Sequence, residues 1–236
     1  MQYLTIKTAP PLKNGTPLAK AVFVTKTKKF GEVTKEEVLS VKRPILVTGA
    51  NSSGKSRWIK RLREDAARIW AMKPAAPLYL SAARPLAAWT DTKELELWWA
   101  GRKNCDDQRH WTKLKAWERV DFLPLYLAET KAVLFVDDAH LIAGRKLKVL
   151  EECVAAAAVF VMGVAEENRL APTVRHNVMY RQPQIFRLKT EVAYDATPLV
   201  MWCFIAAAAL AQMWFLVMIL GGLKILGNGR RATKQQ

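Results

Sequence analysis

The sequence predicts a three-layer α/β fold around a mostly parallel sheet, with a small basic β-rich region before it and a transmembrane helix after it. Three observations predict this. From Arg43 to about Lys189, short apolar runs of strand length alternate with stretches of helical periodicity. The first of these strands runs directly into Gly49-Ala50-Asn51-Ser52-Ser53-Gly54-Lys55-Ser56, which matches the phosphate-binding loop G-x-x-x-x-G-K-[ST] at every fixed position. Near the other end, Leu199 to Leu223 is a run of 25 residues without a charge.

Residues 1–42 are the basic N-terminal region. Tyr3-Leu4-Thr5-Ile6 and Ala21-Val22-Phe23-Val24-Thr25 read as short strands, separated by a turn region containing Pro10-Pro11 and Asn14-Gly15. Lys20, Lys26, Lys28, Lys29, Lys35 and Lys42 fit two readings equally. One is an arm that touches phosphates or acidic lipid headgroups. The other is an edge strand guarded by lysines against aggregation.

The core occupies residues 43–190. Pro44 to Thr48 reads as a buried strand and Arg57 to Met72 as a helix, with Trp58, Leu62, Ala66, Ile69 and Trp70 spaced to pack on the sheet. Between them, glycines let the backbone close around phosphate oxygens, and N–H groups with the positive end of the helix favour negative charge. Gly49, Ala50, Asn51, Ser52, Ser53, Gly54, Lys55 and Ser56 are therefore the nucleotide-binding residues. Lys55 would reach the β- and γ-phosphates, and the Ser56 hydroxyl would ligate Mg²⁺. Leu78-Tyr79-Leu80 reads as a second strand. Residues 91–131 read as mostly helical, with Trp98, Trp99, Trp111, Leu114 and Trp117 read first as core packing of two amphipathic helices and second as an interaction surface.

Ala132 to Val136 is apolar and ends in Asp137-Asp138. A buried strand here carries Asp137 to the sheet edge beside the phosphate loop, where it would hold Mg²⁺ directly or through water. Asp138 is the candidate general base for the attacking water. Arg145 to Ala156 reads as a helix and Ala158 to Gly163 as a strand. Beyond it, Glu166 or Asn168 is the candidate γ-phosphate sensor. Arg169, Arg175 or Arg181 is the candidate arginine acting in a neighbouring subunit's site, with Arg175 carried as the catalytic choice. Gln184 to Leu188 would close the sheet.

Thirty-seven basic against 21 acidic side chains give a formal charge of +16, a balance that attracts nucleic acid or an anionic membrane face. Cys105, Cys153 and Cys203 lack C-x-x-C spacing, which argues against a zinc site or disulfide framework and for a reducing compartment. His110, His140 and His176 are too scattered for a metal cluster. Met1 to Lys7 has no apolar core of signal-peptide length, so the chain is expected to start in the cytoplasm. As a helix the uncharged run would be about 37 Å long, against a hydrocarbon core of roughly 30 Å. Residues 191–197 read as a linker, 198–224 as the span and 225–236 as a basic tail. Thr197-Pro198 supplies a helix start, Trp202 and Trp214 aromatic anchors, and Lys224, Arg230 and Arg231 a basic stop. The positive-inside rule would keep the tail in the cytoplasm, yet a triphosphate site must also face it. The expected topology is a single pass, with residues 1–195 inside and the tail outside. Cys203, Ala207 and Ala211 form a small-residue stripe that fits self-association.

The segments GANSSGKS at 49–56 and AVLFVDDAH at 132–140 resemble the additional-strand class of P-loop ATPases, and the Asp-Asp-Ala-His ending is similar to AAA+ and related signalling ATPases. The resemblance covers residues 43–190 in strand order. It implies a P-loop NTPase core, ATP and Mg²⁺ as cofactors, hydrolysis, and rings or oligomers formed on a substrate. Two departures stand out: Asp138 replaces the usual catalytic glutamate, and the apolar run stands where a helical lid normally follows. More loosely, the architecture resembles the membrane-bound assembly ATPases of filamentous phages and the packaging ATPases of membrane-containing viruses. The expected function is a membrane-anchored, Mg-dependent ATPase that handles nucleic acid in phage or mobile-element assembly, packaging or DNA transfer. A nucleotide-controlled membrane switch in signalling or defence, with no nucleic-acid substrate, is the alternative, and a non-enzymatic scaffold is the third reading. No Asn-Lys-x-Asp segment is present, which favours ATP over GTP.

Overall fold

A computed structural model describes residues 2–8, 18–28, 32–71, 76–102, 110–188, 210–213 and 215. Residues 1–190 form one compact unit and 191–236 a second. The first unit contains two sheets. Strands β1 (Gln2–Thr8), β2 (Ala19–Lys28) and β3 (Glu32–Val38) form an antiparallel sheet in that order. The two expected N-terminal strands are there. The third, Glu-Val-Thr-Lys-Glu-Glu-Val, is too rich in charge to read as a strand, and it forms because β2 offers it a complete ladder from Val22 to Lys28.

The second sheet is built from β4 (Ile45–Thr48), β5 (Leu78–Ser81), β6 (Leu134–Asp137), β7 (Phe160–Val164) and β8 (Gln184–Arg187), paired in the order β5-β6-β7-β4-β8 with every pairing parallel. Each strand lies close to its expected place. Strand β7 stands between β4, which feeds the phosphate loop, and β6, which ends in Asp137.

Strand periodicity of two divides the core. Ile45, Val47, Val133, Phe135, Val161 and Phe186 face one layer, while Leu46, Leu134, Val136, Phe160, Met162 and Val164 face the other. The first layer holds α1 (Lys55–Glu64) and α2 (Ala66–Ile69), which bury Trp58, Ile59, Leu62, Ala66 and Ile69. The sequence predicted one helix from Arg57 to Met72; Asp65 breaks it, and its carboxylate takes a 3.0 Å bond from Arg68 Nη1. The opposite layer holds α3 (Lys93–Ala100), α4 (Ala116–Asp121), α5 (Leu123–Thr130), α6 (Arg145–Ala156) and α7 (Pro172–Tyr180). Trp99, Trp111 and Leu114 are buried there, as expected of core packing, but Trp117 is 49% exposed.

The N-terminal sheet lies over α1 and shares its core. Phe23 meets Trp58 and Phe186 with ring centroids 5.5 and 5.3 Å away. Arg61 Nη1 on α1 donates to Leu4 O at 2.9 Å, and Arg68 Nη2 donates to Thr8 Oγ1 at 3.4 Å. The segment after β3 is tied to β8, since Gln184 accepts from Ser40 N–H at 2.8 Å and donates to Glu37 and to Val38 O at 3.1 Å each. The lysines of this region share the surface with acid: Lys7 pairs with Glu36 at 2.6 Å. Among the described residues no helix is long and apolar enough to cross a membrane. The expected span, 198–224, and the linker and tail around it lie almost entirely outside the described residues.

Candidate functional site: a phosphate loop beside paired aspartates

The loop between β4 and α1 is shaped by what its glycines permit. A Cβ on Gly49 would meet Ser53 Oγ at 2.7 Å and Leu188 O at 2.8 Å, so only glycine lets the loop leave β4 this close to β8. Gly54 sits at φ 87°, a left-handed turn that ends the loop and starts α1. The first-turn N–H groups of α1 have no carbonyl within their own helix, no acidic side chain lies in that turn, and no side chain caps it. The positive end of the helix is thus left facing the loop. Lys55 is 5% exposed, and its Nζ donates to Gly49 O at 2.7 Å and Ala50 O at 2.8 Å. A cationic side chain is held over the loop's own backbone.

Gly163 in β7 brings the second half of the site within reach. A Cβ there would fall 2.5 Å from Ile59 Cδ1 and 3.4 Å from Asp137 Oδ1, so a bare backbone lets α1 settle onto the sheet next to the end of β6. As a result Ser56 Oγ donates to Asp137 Oδ1 at 3.1 Å, joining two motifs 81 positions apart in sequence. The other oxygen, Asp137 Oδ2, accepts from Tyr79 Oη at 3.4 Å. Burial first, and the charge of Asp137 second, push the Tyr79 phenol up, so it remains a donor.

A cleft of about 750 Å³ opens above these groups, lined by the loop from Asn51 to Ser56 with Arg57, Asp138, His140, Leu141 and Arg169. Asp138 adopts φ 51°, which turns the chain sharply after β6 and places the residue at the cleft wall. His140 Nδ1 accepts from Ala165 N–H at 3.4 Å, linking the turn after β6 to the end of β7. Burial lowers its imidazole from the ordinary value. Asp138 pulls the other way, and Lys55 and Arg169 add to the lowering.

The residues ascribed to binding and to the metal therefore come together, Gly49 to Ser56 and Asp137, and the candidate general base Asp138 stands at the wall of the same cleft. The three candidate arginines part company. Arg169 lines the cleft, in contact with Glu166 at 3.7 Å. Arg175 is exposed on α7 and is not among the cleft residues. Arg181 donates to the carbonyls of Val154, Ala157 and Ala158, at 2.9, 2.7 and 2.5 Å, and so caps the end of α6. Neither Glu166 nor Asn168 lines the cleft. Tyr79 and Gly163 carried no sequence signal, since each looks like an ordinary strand residue. His140 was visible in the Asp-Asp-Ala-His ending, but nothing in that ending said that it would reach β7.

Whether this pocket suits a nucleotide with Mg²⁺ is answered by its donors and acceptors. Ser53 Oγ is buried and has no hydrogen-bond partner among the described residues, a hydroxyl suited to a phosphate oxygen. Ser56 Oγ and Asp137 Oδ1 are hard oxygen ligands, and Mg²⁺ is usually held by one or two such groups together with waters and substrate phosphates. Among the described residues no group of three or more His, Cys, Asp or Glu could hold a metal. The residues fit.

No protein-family model matches the sequence, and no curated protein matches it. Among solved structures, the chain is similar to two variants of RuvB from Thermotoga maritima. The identities are 13% and 14% and the TM-scores 0.35 and 0.36, over 72% and 73% of this chain and 44% and 46% of those. It is also similar to Cdc6p from Pyrobaculum aerophilum, at 18% identity and TM-score 0.37, over 61% of this chain and 38% of that one. The chain thus spans less than half the length of each. At such TM-scores the likeness adds no weight of its own. The P-loop fold of this chain rests on its sheet order and loop.

Proposed function

We propose that this chain binds ATP with Mg²⁺ at the loop 49–56 and hydrolyses it. The observation that carries the reading is the 3.1 Å bond from Ser56 to Asp137, which joins the phosphate loop to the carboxylate of the neighbouring motif. In this reading the N–H groups of the loop and of the first turn of α1 receive the β- and γ-phosphates, with Lys55 leaving its two carbonyls to neutralise them. Ser56 and Asp137 hold Mg²⁺, which when bound neutralises charge on the phosphates. Asp138, at the cleft wall, accepts the proton of the attacking water. Its short side chain reaches less far than a glutamate, which favours slow turnover. Arg169 is the better placed arginine for charge developing on the transferred group, and Arg175 is available to a neighbouring copy's site.

The finer reading is a membrane-anchored, self-associating ATPase that handles nucleic acid. The formal charge of +16 and the uncharged run at 199–223 support it. The test is nucleotide binding and phosphate release by the full chain in detergent, with and without single- and double-stranded DNA. Lys55→Ala abolishes nucleotide binding, and Asp138→Asn keeps binding and loses turnover. Wild-type protein that binds no nucleotide refutes the reading. Turnover unmoved by DNA or RNA at low salt leaves the ATPase but removes nucleic acid, and points to the membrane switch.

A further inference from the structure

The carboxylate of Asp137 has two oxygens, and the proposed function uses one of them. We propose that Tyr79 is a positioning residue for Asp137, orienting it for the metal from the edge strand of the sheet, an inference that rests on the nucleotide-and-Mg²⁺ reading above. Tyr79 lies on β5, two positions before Ser81, which is in register with Asp137. Its side chain shares the α1 face of the sheet with Phe135 and Asp137. From there the phenol meets Asp137 Oδ2 at 3.4 Å while Ser56 meets Oδ1 at 3.1 Å. A carboxylate bonded at both oxygens has one orientation, and such outer partners typically change metal affinity 10–100-fold when removed.

How the ring is held separates this role from simple core filling. Tyr79 is not packed on all sides by aliphatic groups. The guanidinium of Arg63 lies 4.5 Å from its ring centroid and that of Arg84 lies 5.4 Å from it. All three line a cavity of about 250 Å³ with Glu94 and Tyr126. Guanidinium groups over an aromatic face hold it in place without requiring burial. Arg63 stands on α1, the helix that also presents Ser56, so one helix fixes both groups that bond Asp137: Ser56 directly, and Tyr79 through the clamp. A phenylalanine would fill the same space and keep the clamp, and would lose the bond to Oδ2 together with the hydroxyl's contact to the neighbouring Ser81.

The experiment is a Mg²⁺ titration of binding of a fluorescent ATP analogue to the full chain and to Tyr79→Phe, with binding in EDTA measured alongside. Tyr79→Phe leaves affinity in EDTA unchanged and raises the Mg²⁺ concentration at half effect about tenfold. Arg63→Met, which loosens the ring but keeps the hydroxyl, shifts it in the same direction by less. An unchanged Mg²⁺ midpoint in Tyr79→Phe overturns the proposal. So does an equal loss of affinity in EDTA, which would mean that Tyr79 supports the loop rather than the carboxylate. If the wild-type chain binds nucleotide in neither condition, the proposed function itself fails, and the inference with it.

Discussion

Gly49→Ala tests the architecture of the phosphate loop most directly. The new methyl carbon would lie 2.8 Å from Leu188 O and 2.7 Å from Ser53 Oγ. Ser53 can rotate away, but the carbonyl of Leu188 is backbone, and the N–H of the same residue is tied to Thr48 O at 2.7 Å. Restoring an ordinary contact requires the loop and the end of β8 to separate by about half an ångström, against interiors packed as tightly as organic crystals. Overpacking of this kind costs about 1–3 kcal/mol. Gly54→Ala is the matched control. Nothing lies within 4 Å of its Cβ, so its cost is only that of a left-handed alanine, about 1–2 kcal/mol. Urea unfolding followed by tryptophan fluorescence reads both stabilities. Hydrogen exchange separates the causes, because Gly49→Ala speeds exchange at the Leu188 amide and Gly54→Ala does not. A Gly49→Ala chain with wild-type stability and an equally protected Leu188 amide would refute the reasoning.

Two further outcomes follow from packing and charge. Phe23→Ala, which removes the ring between Trp58 and Phe186, destabilises the 1–190 unit by about 3–5 kcal/mol in urea. A loss below about 1 kcal/mol would mean that the N-terminal sheet is not part of that core. His140 is held below its ordinary value, so on the acid side of neutrality the folded chain binds fewer protons than the unfolded one. Its contribution is complete above the unfolded imidazole range near pH 6.5 and is lost as pH falls through the folded value. His140→Gln therefore flattens the fall in stability on acidification. An NMR titration placing His140 above its unfolded value would reverse the sign and overturn this.

The phosphate loop and the end of β6 were legible because each is a local pattern: glycines and a lysine at fixed spacing, and an apolar run closed by carboxylates. The five core strands were legible for the same reason, as short apolar runs bounded by polar turns. Features that depend on a distant partner were hidden. Strand β3 has no apolar pattern of its own and is ordered by β2. Gly163 matters through Ile59, more than a hundred positions away, and Tyr79 through Asp137. The predicted helix from Arg57 to Met72 looked continuous because its apolar spacing runs across Asp65, where the backbone turns. Arg181 read as one of three candidate arginines for a neighbouring subunit's site, and only the fold shows it closing the carbonyl end of α6.

Arg61 on α1 bonds the backbone of Leu4, Arg68 on α2 bonds the hydroxyl of Thr8, and Phe23 is wedged against Trp58 on α1. The antiparallel sheet is in effect an outrigger bolted to the helix that begins at Lys55. A pull on the outrigger therefore reaches the phosphate end of that helix through Arg61 and Trp58.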